Sequence, residues 1–228
     1  MRVLLFFIPF IFFISNNSFA KSYTVIQRTI VNKDFTKEEK LHFVKALLKQ
    51  KINKDEINFK DKHGYTALDL AVIHNLVDVV EVLLKNGANP NIKDKNGYTP
   101  LHRAVIKSSA VLTKLLLKYG ADPNVKDIYG YTPLQRAVIQ QSPELVKILL
   151  ENGADPNIKD SHDYYPLERA LMFEDVDTAY EISKLLLDHK ANPMISDKRG
   201  VVIFEKLASE KGNRKKLLNL LVEYIKQP

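Results

Sequence analysis

Cysteine is absent from the 228-residue sequence, and its absence excludes several kinds of site. Without a thiol, the chain cannot form a disulfide bond, a thiolate metal site or a cysteine nucleophile. No cysteine follows the apolar segment near the N-terminus either, which excludes a bacterial lipoprotein. Histidines and carboxylates are therefore the first residues to inspect for chemistry.

The motifs of common catalytic and phosphate-binding sites are absent too. The sequence contains no HExxH, GxSxG, GxxxxGK[ST] or GxGxxG. Aspartates and glutamates are scattered along the chain and show no spacing typical of a catalytic carboxylate pair. The six histidines follow no metal-ligand spacing: His42, His63, His74, His102, His162 and His189. We therefore predict a protein that is not an enzyme and that binds no metal and no cofactor.

An apolar run long enough to cross a membrane is also lacking. The run from Val3 to Ile14 would reach only about 18 Å as a helix, against about 30 Å for the hydrocarbon core. Arg2 precedes it, and the small residues Ser18 and Ala20 follow it. This pattern predicts a secretory signal peptide over residues 1–20, cleaved after Ala20. The alternative is an uncleaved, poorly spanning anchor.

Export would place the mature protein in the periplasm or outside the cell. The only glycosylation sequon begins at Asn16, inside the predicted signal peptide. A mature chain without cysteine or sequon fits a bacterial exported protein better than a eukaryotic ectodomain. Removing one arginine and no acid lowers the formal net charge from +7 to about +6. An excess of this size is typical of a soluble surface rather than of nucleic-acid binding.

A 33-residue period dominates the rest of the sequence. Aspartates that open similar segments lie 33 residues apart: Asp61, Asp94, Asp127 and Asp160. The period predicts four repeats, at residues 61–93, 94–126, 127–159 and 160–196, the last with four extra residues. Such a period is typical of stacked supersecondary units.

Each repeat has the features of two short helices joined by a turn. In the second repeat, Thr99 is a good N-cap and Pro100 falls at the first helical position. Leu101 and Ala104 then recur on one helical face, and Gly120 follows the second helix at a position that favours a left-handed residue. Neither helix can bury its apolar face alone, so the repeats must stack into a solenoid.

The repeats resemble the ankyrin repeat family. The resemblance is carried by "GYTPLHRAV" (residues 97–105) and "LLKYGADPNVKD" (residues 116–127), and it extends from Asp61 to about Ser196. It implies an all-α ankyrin-repeat solenoid, with β-hairpin loops between helix pairs and first helices that line a concave surface. It also implies that His102 makes structural hydrogen bonds between turns and neighbouring repeats.

The chain ends and the fourth repeat depart from the pattern. We expect a flexible leader at residues 21–33, an N-terminal helical cap at 34–60 and a C-terminal capping repeat at 197–228. In the fourth repeat Asp163 and Lys190 replace glycines, and Tyr165 replaces the capping threonine. This repeat should be the least stable or the most distorted. Its extra residues predict a solvent loop or a longer first helix.

Residues at the same position of successive repeats would stack in the solenoid, and we call such a set a column. Two columns have no evident role in the folding of the repeats. One contains the tyrosines before each first helix: Tyr65, Tyr98, Tyr131 and Tyr164. The other contains arginines inside the first helix, with Leu70 at the equivalent position of the first repeat: Arg103, Arg136 and Arg169. Tyrosine is favoured at binding hot spots, and aligned guanidinium groups would suit a partner's carboxylates or phosphates.

Duplication or a purely structural role could equally account for both columns. Recent duplication could have copied both residues, tyrosine could pack on the next loop, and arginine could pair with Glu168 or lie along its own stem. We predict a monomeric, exported scaffold that binds a host or periplasmic protein. Binding of a polyanion, either a membrane surface or a nucleic acid, is the alternative; its densest basic cluster would be "KGNRKK" at residues 211–216.

Overall fold

The computed structural model describes residues 24–49, 54–194 and 214–226. The predicted signal peptide lies outside these residues, as does "KGNRKK" apart from its last three residues. Within the described ranges, helices are the only regular secondary structure, which confirms the all-α class. None of the described helices combines the length and the apolar composition that a bilayer span requires. The chain divides into two compact units, residues 1–95 and 96–228.

The first compact unit contains five described helices. They are α1 (Val25–Val31), α2 (Lys37–Leu48), α3 (Lys54–Ile57), α4 (Ala67–Ile73) and α5 (Val77–Lys85). Helix α1 packs against α2 and α4, while α2 and α4 both pack against α5. The core of this unit contains fully buried Ile26, Ile30, Val44 and Leu68.

The second compact unit contains seven described helices. They are α6 (Pro100–Ile106), α7 (Ala110–Lys118), α8 (Pro133–Ile139), α9 (Pro143–Glu151), α10 (Pro166–Leu171), α11 (Val176–Asp188) and α12 (Lys215–Ile225). The first helices α6, α8 and α10 pack side by side, as do the second helices α7, α9 and α11. Helix α12 packs against α11 at the end of this series.

Local chemistry starts the first helix of each repeat where the sequence predicts it. The side chains of Thr66, Thr99 and Thr132 each accept a hydrogen bond from the backbone N–H three residues later. Proline occupies the first helical turn in α6, α8 and α10. The leucine at the second helical position is fully or almost fully buried in all four repeats. In the second and third repeats "TPL" therefore supplies both the cap and the core.

Helix α1 corrects the expectation of a flexible leader at residues 21–33. Ile26 and Ile30 are fully buried, and Thr24 accepts a hydrogen bond from the Gln27 N–H as an N-cap. The segment "TVIQRTIV" (24–31) has the pattern of "TPLQRAVI" (132–139), and both helices are seven residues long. Residues 24–48 therefore have the helix-pair arrangement of a repeat, and their helices pack against α4 and α5.

Glutamine contacts support this equivalence. The Gln27 side-chain amide donates to the carbonyl oxygens of Phe59 (3.1 Å) and Tyr65 (2.9 Å). Gln135 in α8 donates to the two equivalent carbonyls, those of Ile158 (3.0 Å) at the end of its own repeat and Tyr164 (3.4 Å) in the following one. The first described helix thus docks on the next repeat through the same bonds that a regular repeat uses.

The loops between repeats are tight turns. In the third repeat the Asp127 N–H donates to the carbonyl oxygen of Tyr131 at 3.0 Å, and the Gly130 N–H donates to that of Asp127 at 3.0 Å. The resemblance implied β-hairpins at these positions. The described loops contain no assigned strand, because two bonds across five residues close a turn without forming a ladder.

The four extra residues of the fourth repeat lie in its second helix. Helix α11 has 13 residues, against 9 in α7 and α9, and the first helix α10 has only 6. The predictions of a solvent loop or a longer first helix are therefore wrong. Asp175 caps the start of α11 through the Asp177 and Thr178 N–H groups, and Ala179, Ile182 and Leu186 extend a buried face at helical spacing.

Lys190 ends α11 in a conformation that glycine adopts in the other repeats. Its φ is +69°, whereas Gly120 and Gly153 have φ values of +84° and +85°. A side chain in this region is strained by roughly 1–2 kcal/mol, and glycine returns part of that through chain entropy. We expect Lys190→Gly to raise the free energy of unfolding by about 0.5–1 kcal/mol. Urea denaturation would measure the change, and a loss of stability would show that the lysine is unstrained.

Helix α12 is the described part of the predicted C-terminal cap. Leu217, Leu220 and Leu221 bury its apolar face. Burial acts to raise the pKa of Asp188 in α11, but hydrogen bonds from the Tyr224 hydroxyl and the Lys184 ammonium outweigh it and lower that pKa below its usual value. This carboxylate is ionised at neutral pH and accepts the hydrogen bond that joins Asp188 in α11 to Tyr224 in α12.

Candidate functional site

A buried aspartate organises each loop beside the tyrosines. In the third repeat, Asp127 Oδ1 accepts the N–H groups of Tyr129 (2.8 Å) and Tyr131 (3.0 Å). Asp160 accepts those of His162 (2.7 Å) and Tyr164 (3.1 Å) in the fourth. Because both aspartate side chains are fully buried, the loop backbones are fixed where the tyrosines begin.

Two of the three arginines predicted to bind a partner are paired with these aspartates. Arg136 donates from Nε to Asp127 Oδ2 at 3.0 Å, and its Nη2 donates to the same oxygen. Arg169 pairs with Asp160 Oδ2 in the same way, with an Nε distance of 2.6 Å. The arginine side chains are about one fifth exposed, so most of each guanidinium lies within the protein.

Each of these arginines also reaches the tyrosine of the preceding repeat. Arg136 Nη2 donates to the Tyr98 hydroxyl at 3.2 Å, and Arg169 Nη2 donates to the Tyr131 hydroxyl at 3.4 Å. The guanidinium carbon of Arg136 lies 4.6 Å from the centre of the Tyr131 ring and 5.4 Å from that of Tyr98. These distances are typical of cation–π contacts. The arginines therefore link successive loops to one another.

We call this set of side chains the tyrosine–arginine cluster. It contains Tyr98, Tyr129, Tyr131, Tyr164, Arg103, Arg136 and Arg169. Arg103 lies 5.6 Å from the Tyr98 ring centre, and Arg169 lies 5.0 Å from that of Tyr164. The structure thus brings together six of the seven residues predicted to bind a partner.

Tyr65, the seventh predicted residue, lies in the first compact unit beside a different arrangement. Asp61 Oδ1 accepts the N–H groups of His63 (2.8 Å) and Tyr65 (2.9 Å), as in the later repeats. Leu70 occupies the arginine position. Asp61 Oδ2 is consequently buried with no hydrogen-bond partner. The first repeat keeps the loop anchor and lacks the arginine that completes it.

The contacts test two structural roles considered above, the pairing of an arginine with Glu168 and the packing of a tyrosine on the next loop. Arg169 pairs with Asp160, whereas Glu168 Oε2 accepts the Tyr165 N–H at 2.7 Å at the start of α10. Packing of tyrosine on the next loop is confirmed at Tyr131. Its ring stacks on that of His162 at 6.2 Å between centres.

His102 has the structural role that the resemblance implied. Its Nδ1 accepts the Thr99 N–H at 3.2 Å, which leaves Nε2 to donate to the Tyr131 carbonyl at 3.1 Å. The side chain is fully buried. Within the described ranges, histidines and carboxylates form no group that could hold a metal ion.

The residues predicted from the sequence to bind a partner did not include the exposed apolar side chains of the same compact unit. Ile128 and Tyr129 form the tip of the third loop and are 60% and 52% exposed. A second set lies at the ends of the first helices, one period apart: Ile106 (42% exposed), Ile139 (40%) and Met172 (53%). We call these three residues the apolar row. The 33-residue spacing of three apolar residues would have revealed the row in the sequence.

The apolar row lies beside the tyrosine–arginine cluster. Each member follows a cluster arginine by three residues, a spacing that makes two side chains neighbours on a helix. The side chain of Gln140, the C-cap of α8, donates to the Ile106 carbonyl at 3.0 Å, which ties the ends of α6 and α8 together. Loop tips, cluster and row therefore form a surface of aromatic, apolar and internally paired groups.

Comparisons with known proteins identify the repeats. A family model described as ankyrin repeats (3 copies) matches residues 86–160, and one described as ankyrin repeats (many copies) matches residues 56–104. The crystal structure of an ankyrin repeat domain from Acinetobacter baumannii is similar, with a TM-score of 0.75 and 24% sequence identity. That match covers 87% of this chain and 96% of the other. No curated protein matches the chain.

Proposed function

This chain is an ankyrin-repeat protein, and on that premise we propose that it binds another protein through the loop tips, the tyrosine–arginine cluster and the apolar row. Ankyrin repeats are in general protein–protein interaction modules, and the fold is typically a scaffold without catalytic activity. In the proposal, the first helices and loops form the concave binding face that the repeat family uses.

The observation that carries the proposal is the alignment of exposed apolar side chains. Five large ones in the second compact unit belong to a loop between repeats or to the ends of first helices: Ile106, Ile128, Tyr129, Ile139 and Met172. Single exposed apolar residues are ordinary, whereas a contiguous set at one-period spacing is typical of an interaction site. A partner that covers this set would remove apolar area from water.

Charge pairing within the chain bears on which kind of partner this surface suits. A ridge of free arginines would attract an acidic partner, but Asp127 and Asp160 neutralise Arg136 and Arg169. The surface therefore favours a largely apolar contact over a strongly acidic one. In this proposal the arginines support the tyrosine rings and set their orientation.

The test is affinity capture with a matched pair of surface variants. We expect Ile139→Asp to abolish capture of the bound partner, because it places a charge at the centre of the apolar row. Val111→Asp is the control, since Val111 is 61% exposed at the start of a second helix, α7. Capture lost equally in both variants, or retained in both, would contradict the proposed surface.

The tyrosines need a variant that leaves the loops intact. Alanine at Tyr98 and Tyr131 would also remove acceptors of Arg136 and Arg169 and the ring contacts, which confuses binding with stability. Substituting phenylalanine at both positions also removes the hydroxyl acceptors but keeps the rings in contact with the guanidinium groups. Retained capture by that variant would assign the binding contribution to the rings.

Export and the alternative partner class are tested with the same protein. We propose a monomer that is secreted or periplasmic, with a host or bacterial protein as its partner. Fractionation with a C-terminal epitope would place a cleaved product outside the cytosol if the signal peptide is used. A complex that dissociates steeply between low and moderate salt would instead favour a polyanion, meaning a nucleic acid or an anionic membrane surface.

A further inference from the structure

The residues that follow the apolar row change in charge from one repeat to the next. The exposed side chain of Lys107 follows Ile106, uncharged Gln140 follows Ile139, and Glu174 lies two residues after Met172. The residues beside the row therefore carry a positive charge at the second repeat and none at the third, while at the fourth a negative charge follows one residue later, after Phe173. A uniform surface would not distinguish one direction along the repeats from the other.

Other groups near the fourth repeat do not cancel this acidic end. Hydrogen bonds from the Thr178 hydroxyl and the Asp177 N–H lower the pKa of Asp175, so this exposed carboxylate beside Glu174 is ionised at neutral pH. The Arg214 guanidinium is half-buried and donates to the carbonyl oxygens at the end of α10, those of Leu171 (3.0 Å) and Phe173 (3.1 Å). Glu174 and Asp175 directly follow Phe173, so two carboxylates outnumber the single guanidinium bound at this end of α10.

The spacing of the row matches one face of an α-helix. Packed neighbouring helices lie about 8–10 Å apart, so row members on α6, α8 and at the end of α10 repeat at about that distance. A helix presents residues seven apart on one face at about 10.5 Å. Residues on one face of a β-strand recur at about 7 Å or 13 Å, which fits the row less well.

We propose that the apolar row binds an amphipathic helix of the partner, whose acidic end lies at Lys107 and whose basic end lies at Glu174. The inference rests on the proposed function and specifies its partner. Three apolar side chains, seven residues apart, would cover Ile106, Ile139 and Met172. The terminal charges would meet the opposite charges of the protein.

Three synthetic helical peptides test the arrangement. All carry leucines at three positions seven residues apart, and they differ only at their ends, which are one acidic and one basic, both acidic, or both basic. Exchanging the two ends of the first peptide would be uninformative, because a helix can bind in either direction. We expect fluorescence anisotropy to show the mixed peptide binding about fivefold more tightly than the others, the effect of one or two exposed ion pairs. The doubly acidic peptide controls for attraction to the net positive protein.

Variants of the protein and the peptide complete the test. Lys107→Glu should transfer the preference to the doubly basic peptide, whereas Lys147→Glu, an exposed change on the second helix α9, should not. A proline at the centre of the mixed peptide should abolish binding. Equal affinity for all three peptides, absence of binding, or binding that survives the proline would overturn this inference. Loss of the natural partner in Ile139→Asp would still support the proposed function.

Discussion

Replacing Asp127 by alanine is expected to lower the free energy of unfolding by about 3 kcal/mol. The substitution removes the acceptor of two backbone N–H groups and leaves the guanidinium of Arg136 without its carboxylate. Arg136 would also lose the contact that orients it between the rings of Tyr98 and Tyr131. Urea denaturation would measure the loss, and amide hydrogen exchange at Tyr129 and Tyr131 would show whether the loop opens.

The first repeat supplies a matched control for this change. Asp61 accepts the same two N–H groups, but Leu70 replaces the arginine, and Asp61 Oδ2 is buried without a partner. Asp61→Ala should therefore cost only about 1 kcal/mol, since the lost backbone bonds are partly offset by removal of an unsatisfied oxygen. Equal losses in the two variants would show that the pairing with Arg136 adds nothing to stability.

The fold was predictable from the sequence because each repeated residue has a local task. Thr99 caps a helix, Pro100 starts it, and Leu101 packs beneath it, and all three tasks depend only on residues within one turn. Because four copies recur at one period, each copy supports the same assignment of helices and turns. The family matches over residues 56–160 confirm the resemblance that rested on these letters.

Helix α1 was missed because the signals around it are incomplete. Thr24 lies 42 residues before Thr66 rather than 33, and no Asp–x–x–Gly loop precedes it. The remaining letters, "TVIQR", match "TPLQR" only in the capping threonine, the bridging glutamine and the arginine. Gln27 reveals the relation in the structure, because its bond to the Tyr65 carbonyl spans 38 residues.

The pairing of the arginines with buried aspartates could not be predicted from the sequence. Helical spacing places Arg136 on the exposed side of α8, which suggests a charge free for a partner. The loop, however, folds back so that Asp127, nine residues earlier, lies against the guanidinium. Whether an arginine is paired depends on how the preceding loop folds back onto the helix. The repeat period alone does not reveal this.

Replacing Gly130 by alanine is expected to cost about 3 kcal/mol, and the reason lies between two loops. Gly130 has a φ of +74°, and a Cβ at this position would lie 2.6 Å from the backbone nitrogen of Ser161 in the next loop. The added methyl group would strain its own backbone and push the following loop away. Since that loop carries His162 and Tyr164, the substitution should also weaken partner capture.

Gly120→Ala separates backbone strain from the steric clash with the next loop. Gly120 has a similar φ of +84°, but nothing lies within 4 Å of an added Cβ. Its substitution should therefore cost only the backbone strain, about 1 kcal/mol, and leave partner capture unchanged. Thermal and urea denaturation of both variants would measure the difference. If Gly130→Ala were no worse than Gly120→Ala, the loops would yield to each other freely. The tyrosine–arginine cluster could then not act as a rigid surface, because its rings belong to loops held at this distance.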